Sequence, residues 1–134
     1  MTKMRNLAVD KANVISEVLE GEAVIINVAT GIYHSTDGVG GWVWENIVAG
    51  VASEAILGAL EPLADPAMVR DDLIRFFDQL DTDGLVGTGS APATSTVVGQ
   101  IPTAYGAPGL QTYRDMTELM ALDPPMPILD GPVR

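Results

Sequence analysis

The hydrophobic pattern along the chain changes its period as the chain proceeds. From Asn13 to Ser35, short apolar and β-branched runs alternate with glycine-containing turns: Asn13–Leu19, Glu20-Gly21-Glu22, Ala23–Val28, Ala29-Thr30-Gly31 and Ile32–Ser35. Runs of that length between turn residues predict an antiparallel three-stranded meander, with the short third strand at the edge. After the glycine-rich break Gly38–Gly41 the period becomes helical. Trp42, Val43, Trp44, Ile47 and Val48 recur up to Gly50, a suitable C-terminal stop. Ser53, as N-cap, begins a second helix with Ile56, Leu57, Leu60 and Leu63 on one face. Asp65 caps a third before Pro66, with an apolar stripe of Val69, Leu73, Phe76, Phe77 and Leu80 that ends at Asp83-Gly84, where Leu85-Val86 folds back. Three strands followed by three helices predict an α+β, winged-helix-like body. Such a layout names no function by itself.

Charge divides the chain further. Residues 1–88 hold 14 acids and 5 bases, residues 89–104 hold neither, and residues 105–134 hold 4 acids and 2 bases. The uncharged stretch is rich in Ser, Thr, Pro and Gly, which predicts a flexible linker over 89–104 with a span of roughly 20–25 Å. A ligand held on such a tether experiences an effective concentration on the order of millimolar. The organisation is therefore a body (1–88), a linker (89–104) and a tail (105–134).

The net charge of −11 over 134 residues argues against nucleic acid as a partner, because that affinity comes from Lys and Arg releasing counterions. With no Cys and one His, the chain can form no disulfide, no thiolate nucleophile, no Cys zinc site and no two-His metal site, and a His-based triad could be built only around His34. No apolar run is long enough to span a bilayer and no signal-peptide pattern opens the chain, so a cytoplasmic location and no membrane partner are expected. Asp71 and Asp72 are neighbours on a helix and diverge by about a hundred degrees. The Asp81–Asp83 run lacks the rest of an EF-hand loop, and Gly38–Gly41 lacks the Lys-Ser/Thr of a phosphate loop. No catalytic residue, metal site or cofactor is implied, and the expectation is a protein that is not an enzyme.

Several segments of the body carry a family pattern: Gly31-Ile32-Tyr33-His34, then Asp37-Gly38-Val39-Gly40-Gly41-Trp42-Val43-Trp44-Glu45, then the helix Val69–Leu80 running into Asp83-Gly84-Leu85-Val86. Over roughly residues 14–86 the chain resembles PqqD-like proteins, also called RiPP recognition elements, and most closely the type found in lasso-peptide clusters. Two positions depart from the pattern: Gly50 falls about one residue late after the Trp, and His34 stands where a second aromatic is common. The resemblance implies a small non-catalytic domain that binds the leader of a ribosomally made precursor peptide, adding it as a strand to a sheet edge beside a helix. Main-chain hydrogen bonds would supply affinity and side-chain pockets selectivity. The implied groove residues are Ile32, Tyr33, His34 and Ser35 on strand three with Asp72, Phe76 and Gln79 on helix three. Periodicity leaves open which flank of that helix faces the strand, with Arg70 and Phe77 as the alternatives.

The tail opens Tyr105-Gly-Ala-Pro108-Gly-Leu110, a Tyr-x-x-Pro-x-Leu segment that resembles the leader motif such a domain binds. Pro108 and two flanking glycines favour extended chain there. Leu110, Tyr113, Met116 and Met120 then follow near-helical spacing towards Asp123-Pro124. The chain thus carries a receptor and a likeness of its ligand, free to dock in cis or, by crossing to a neighbour, as a tail-swapped homo-oligomer. The implied partners are a precursor leader peptide and maturation enzymes such as a leader protease or cyclase. The alternative is a fused precursor carrying its own recognition domain, with Met126–Arg134 as core peptide. With Asp130 as acceptor, only four residues would follow, too few to thread a lasso. Because body and tail are both acidic, docking between them must rest on strand pairing and apolar pockets.

Overall fold

A computed structural model of the protein describes residues 4–89 and 92–114. The order of elements is β1 (Leu7–Val9), β2 (Val14–Leu19), β3 (Glu22–Asn27), β4 (Ile32–Thr36), α1 (Gly38–Val48), α2 (Ser53–Leu60), a 3-10 turn (Glu61–Leu63), α3 (Pro66–Thr82), β5 (Val86–Thr88) and β6 (Gln111–Tyr113). The expected meander is present as β2, β3 and β4, joined by tight turns. Glu20 and Gly21 both take positive φ, 54° and 81°, as a two-residue hairpin turn requires. The sheet, however, has four strands rather than the expected three, in the order β2-β3-β4-β6, all antiparallel. The added strand comes from the tail.

Period-2 alternation assigns the faces of this sheet. Ala23 and Ile25 are fully buried on the face that meets the helices, with Ser16 and His34 opposite Ile25 on either side. Trp44 reaches that face from α1, its Nε1 donating to Ser16 Oγ at 2.9 Å. Trp44, Phe76, Phe77, Leu73, Leu80, Ile56, Leu57 and Leu60 complete the core between sheet and helices. The N-terminal strand β1 pairs with β5 in a separate two-stranded ladder that ties the start of the chain to the end of α3.

Two local features depart from the sequence pattern. The glycine run does not break the chain: α1 begins at Gly38 and includes Gly40 and Gly41. A Cβ at Gly41 would lie 1.9 Å from the Gly21 carbonyl oxygen, and one at Gly40 would lie 2.0 Å from Thr36 Oγ1. These glycines let the first turn of α1 press against the β2–β3 hairpin and β4. Ser53 is the first residue of α2 and not its cap; the free N–H of Ser53 donates instead to Asn6 Oδ1 at 2.9 Å. Asp65 does cap α3, accepting from the Ala67 N–H ahead of the stop at Gly84.

The segment read as a free tether is fastened to the body. Ala93 N–H donates to the Gly50 carbonyl at 2.8 Å, and Ala52 N–H donates to the Thr94 carbonyl at 2.8 Å, beside a parallel bridge between Val51 and Thr94. Asn46, fully buried in α1, then clasps both backbone polar groups of one residue: Val98 N–H donates to its Oδ1 at 2.8 Å and its Nδ2 donates to the Val98 carbonyl at 3.1 Å. A buried amide must find partners, and this strap supplies them. Composition alone could not reveal those partners, because they belong to a helix some fifty residues earlier.

Candidate functional site

The candidate groove lies along the edge of β4 that β3 leaves open. β4 is short because Gly31 turns the chain into it and Asp37-Gly38 turns it out into α1. One edge of β4 is taken by β3, and on the other Tyr33, His34 and Ser35 face Tyr113, Thr112 and Gln111 of β6 in antiparallel register. Ile32 pairs with Asn27 of β3 and lies just beyond the stretch that meets β6. Side chains reinforce the ladder: His34 Nδ1 lies 3.1 Å from Thr112 Oγ1, and His34 is 2% exposed. Burial holds the His34 imidazole below its ordinary pKa, against an opposing pull from Asp83. The ring is therefore neutral at pH 7 and either donates to or accepts from the threonine hydroxyl.

The helix side of the groove is set by Asp72. It lies on the flank of α3 next to Leu73 and is buried, 8% exposed, with Arg75 one turn on in contact with its Oδ1. Its other oxygen accepts a hydrogen bond of 2.7 Å from the Tyr105 hydroxyl. Burial, the hydrogen bond to Asp72 and the Asp72 charge all push the Tyr105 phenol well above its ordinary pKa, with Arg75 acting the other way. Tyr105 stays protonated and donates. Tyr105 and Leu110 are half-buried and both pack against the core cluster, while Pro108 is half-buried between Gly106 and Gly109. The chain thus leaves the strap, anchors Tyr105 on α3, passes Pro108 and enters the sheet at Gln111.

Other residues singled out by sequence lie elsewhere. Phe76 and Phe77 are each 1% exposed, and the Phe76 ring reaches the start of α1, 3.6 Å from where a Gly40 Cβ would stand. Both phenylalanines are core. Gln79 is half-buried on the same helix. Arg70 lies 3.6 Å from Glu54 of α2, so the Asp72 flank is the one that meets the tail. The near-helical spacing read from Leu110 onwards does not hold at its start, where Gln111–Tyr113 is strand. The continuation of that helix, Met126–Arg134 and Asp130 lie outside the described residues. Sequence reading missed Thr112 and Asn46. A lone Asn amid Trp42, Val43, Trp44 and Ile47 is the signal that could have found the second.

Among the described residues no group of three or more His, Cys, Asp or Glu side chains could hold a metal ion. No described helix is long and apolar enough to cross a membrane. The arrangement brings together a β4 edge paired with β6 and a buried carboxylate that accepts from the Tyr105 phenol.

No curated protein and no solved structure matches the chain. Residues 22–86, from the first residue of β3 to the first residue of β5, match the family model described as coenzyme PQQ synthesis protein D (PqqD), which supports a PqqD-like RiPP recognition element over the stretch that contains β4 and α3.

Proposed function

We propose that the protein is a non-catalytic adaptor that binds the leader of a ribosomally synthesised precursor peptide by strand addition to β4 and presents it to maturation enzymes. The observation that carries this reading is the pairing of Gln111–Tyr113 with β4 together with the 2.7 Å hydrogen bond from Tyr105 to Asp72. A Tyr-x-x-Pro-x-Leu segment followed by a strand is how a leader with the same spacing would bind, tyrosine to α3 and the main chain after the leucine to β4. The PqqD match supports the reading from the other side, because it covers the groove walls and ends before the strap and tail. On this reading the tail occupies the groove in cis, and a precursor leader must displace it. The lasso-cluster subtype and the winged-helix-like outline belong to the same proposal, resting on the Asp37–Gly40 spacing and the sheet-then-helices order.

The test is a fluorescence anisotropy titration of a labelled peptide spanning residues 101–114 into two full-length proteins. One is wild type; the other carries Tyr105→Ala and Leu110→Ala, which weaken the resident tail. Saturable binding to the double variant, at least tenfold tighter than to wild type, is expected. Absence of binding to both proteins rules the adaptor reading out.

A further inference from the structure

Backbone pairing between β4 and β6 is blind to sequence, so any choice among leaders must come from side chains. β6 contributes three. Gln111 and Tyr113 share one face of the sheet with Ser35 and Tyr33, and there they satisfy each other, the Tyr113 hydroxyl donating to Gln111 Oε1. Thr112 lies on the opposite face in register with His34, and its Oγ1 stands 3.1 Å from His34 Nδ1. Among the described residues it is the one β6 side chain that hydrogen-bonds to the body. The two partners differ in burial, and this decides what is read. His34 is 2% exposed, beside the fully buried Ile25 of β3, whereas Thr112 is exposed. Burial keeps the imidazole neutral at pH 7, so it offers one N–H and one bare nitrogen. A nitrogen so enclosed is costly to leave unpaired, so a leader with no hydroxyl opposite it binds less well. Because Thr112 is exposed, bulk at this position is weakly restricted, and the hydroxyl is what the body contacts.

We infer that His34 is a specificity-determining residue of the groove and selects leaders that carry threonine or serine seven residues after the tyrosine, two after the leucine, as Thr112 follows Tyr105 and Leu110. The inference rests on the adaptor reading and extends its signature from Tyr-x-x-Pro-x-Leu to Tyr-x-x-Pro-x-Leu-x-Thr or Ser. Tyr105 on Asp72 and Thr112 on His34 are two hydrogen-bonded hydroxyls, one anchored on α3 and one on β4, and together they fix the register of the segment between them. A slip of one residue would turn the strand over and set Gln111 or Tyr113 against His34. A leader with the tyrosine but no hydroxyl at the second position would hold one anchor and leave the imidazole nitrogen without its partner.

The test titrates three labelled peptides of residues 101–114, the native one and its Thr112→Ser and Thr112→Val versions, into the full-length protein carrying Tyr105→Ala and Leu110→Ala, and into the same protein with His34→Phe added. Valine keeps the branched shape and strand preference of threonine and removes the hydroxyl. Phenylalanine keeps a flat ring and removes the nitrogens. The native and serine peptides are each expected to bind about threefold or more tightly than the valine peptide, and the gap is expected to fall below that on His34→Phe. A valine peptide within about threefold of either hydroxyl peptide, or a gap of about threefold or more on a folded His34→Phe protein, overturns the inference. Should His34→Phe fail to fold, the three peptides on the parent protein still decide. Absence of binding by all three peptides removes the adaptor reading and this inference with it, whereas equal binding by all three overturns this inference alone.

Discussion

β4 is flanked by two strands that use the same backbone chemistry and differ in nearly everything else. β3 pairs with it over five residues, is joined to it by a tight turn, and buries Ala23, Val24 and Ile25 almost completely. β6 pairs over three, arrives from the far end of the described chain, and buries only Tyr113. The first strand brings its own hydrophobic anchor, and little loop-closure entropy opposes it; the second has a longer loop to close and less apolar area to offset that. On the proposed reading, the β3 side of this edge is permanent and the β6 side exchangeable. The strap reduces the entropic cost for β6 in part, since Asn46 and Gly50 hold residues 93–98 before the tail begins.

Substitutions should separate the two sides, beginning with the most damaging. Trp44→Ala removes the largest fully buried side chain and its bond to Ser16, and is expected to destabilise the whole body by about 3–5 kcal/mol in denaturant unfolding. Both strands should then be lost together. Gly41→Ala forces a Cβ against the Gly21 carbonyl and should cost on the order of 3 kcal/mol, again read as global unfolding. Asn46→Ala strips the Val98 N–H and carbonyl of their partners, and about 1–3 kcal/mol is expected. Unlike the first two, its effect should concentrate on the strap and β6, seen as faster proteolysis within residues 92–104 while the β2–β4 amides keep their protection.

Smaller effects sharpen the contrast on the exchangeable side. Tyr105→Phe deletes a hydrogen bond to a buried carboxylate and should weaken tail docking by about 1–2 kcal/mol with no change in the body's unfolding midpoint. The smallest effect is set by pH. The folded state lowers the His34 pKa, so the stability His34 contributes is fully present above its ordinary value near 6.5 and is lost as pH falls through the window below it. Acidification from pH 7.5 to pH 5 should loosen the Thr112 contact, measured by resonance shifts along β6, and His34→Gln should abolish that dependence. Glu22, whose pKa is raised by burial and by Asp37, works in the opposite direction, its carboxyl relieved as it takes up a proton; Glu22→Gln isolates the histidine effect.

Much of the body can be read in the sequence, because period-2 and period-3.6 patterns report burial directly. The strands from Val14 to Thr36 and the stripe from Val69 to Leu80 are of this kind. Gly38–Gly41 misleads because the usual meaning of glycine is freedom, whereas Gly40 and Gly41 are needed for close approach to residues distant in the chain. The strap misleads for a related reason: its backbone bonds go to the corner between α1 and α2, and no local composition encodes that. At the groove, sequence singles out Asp72 and Tyr105 separately, while their meeting is a product of the fold. Phe76 shows the limit of periodicity, since the apolar stripe on α3 is core throughout and the residue that meets the tail, Asp72, lies beside it, which only packing reveals.

On the proposed reading, β6 is a replaceable strand laid on a permanent frame. Hydrogen exchange on the full-length protein, with and without a large excess of the unlabelled peptide of residues 101–114, distinguishes a replaceable strand from a fixed one. Added peptide is expected to accelerate exchange at Gln111–Tyr113 while the amides of β3 stay protected and those of β4 remain covered. Equal and unchanged protection of β6 and β3 in the presence of peptide would show that β6 is as fixed as β3.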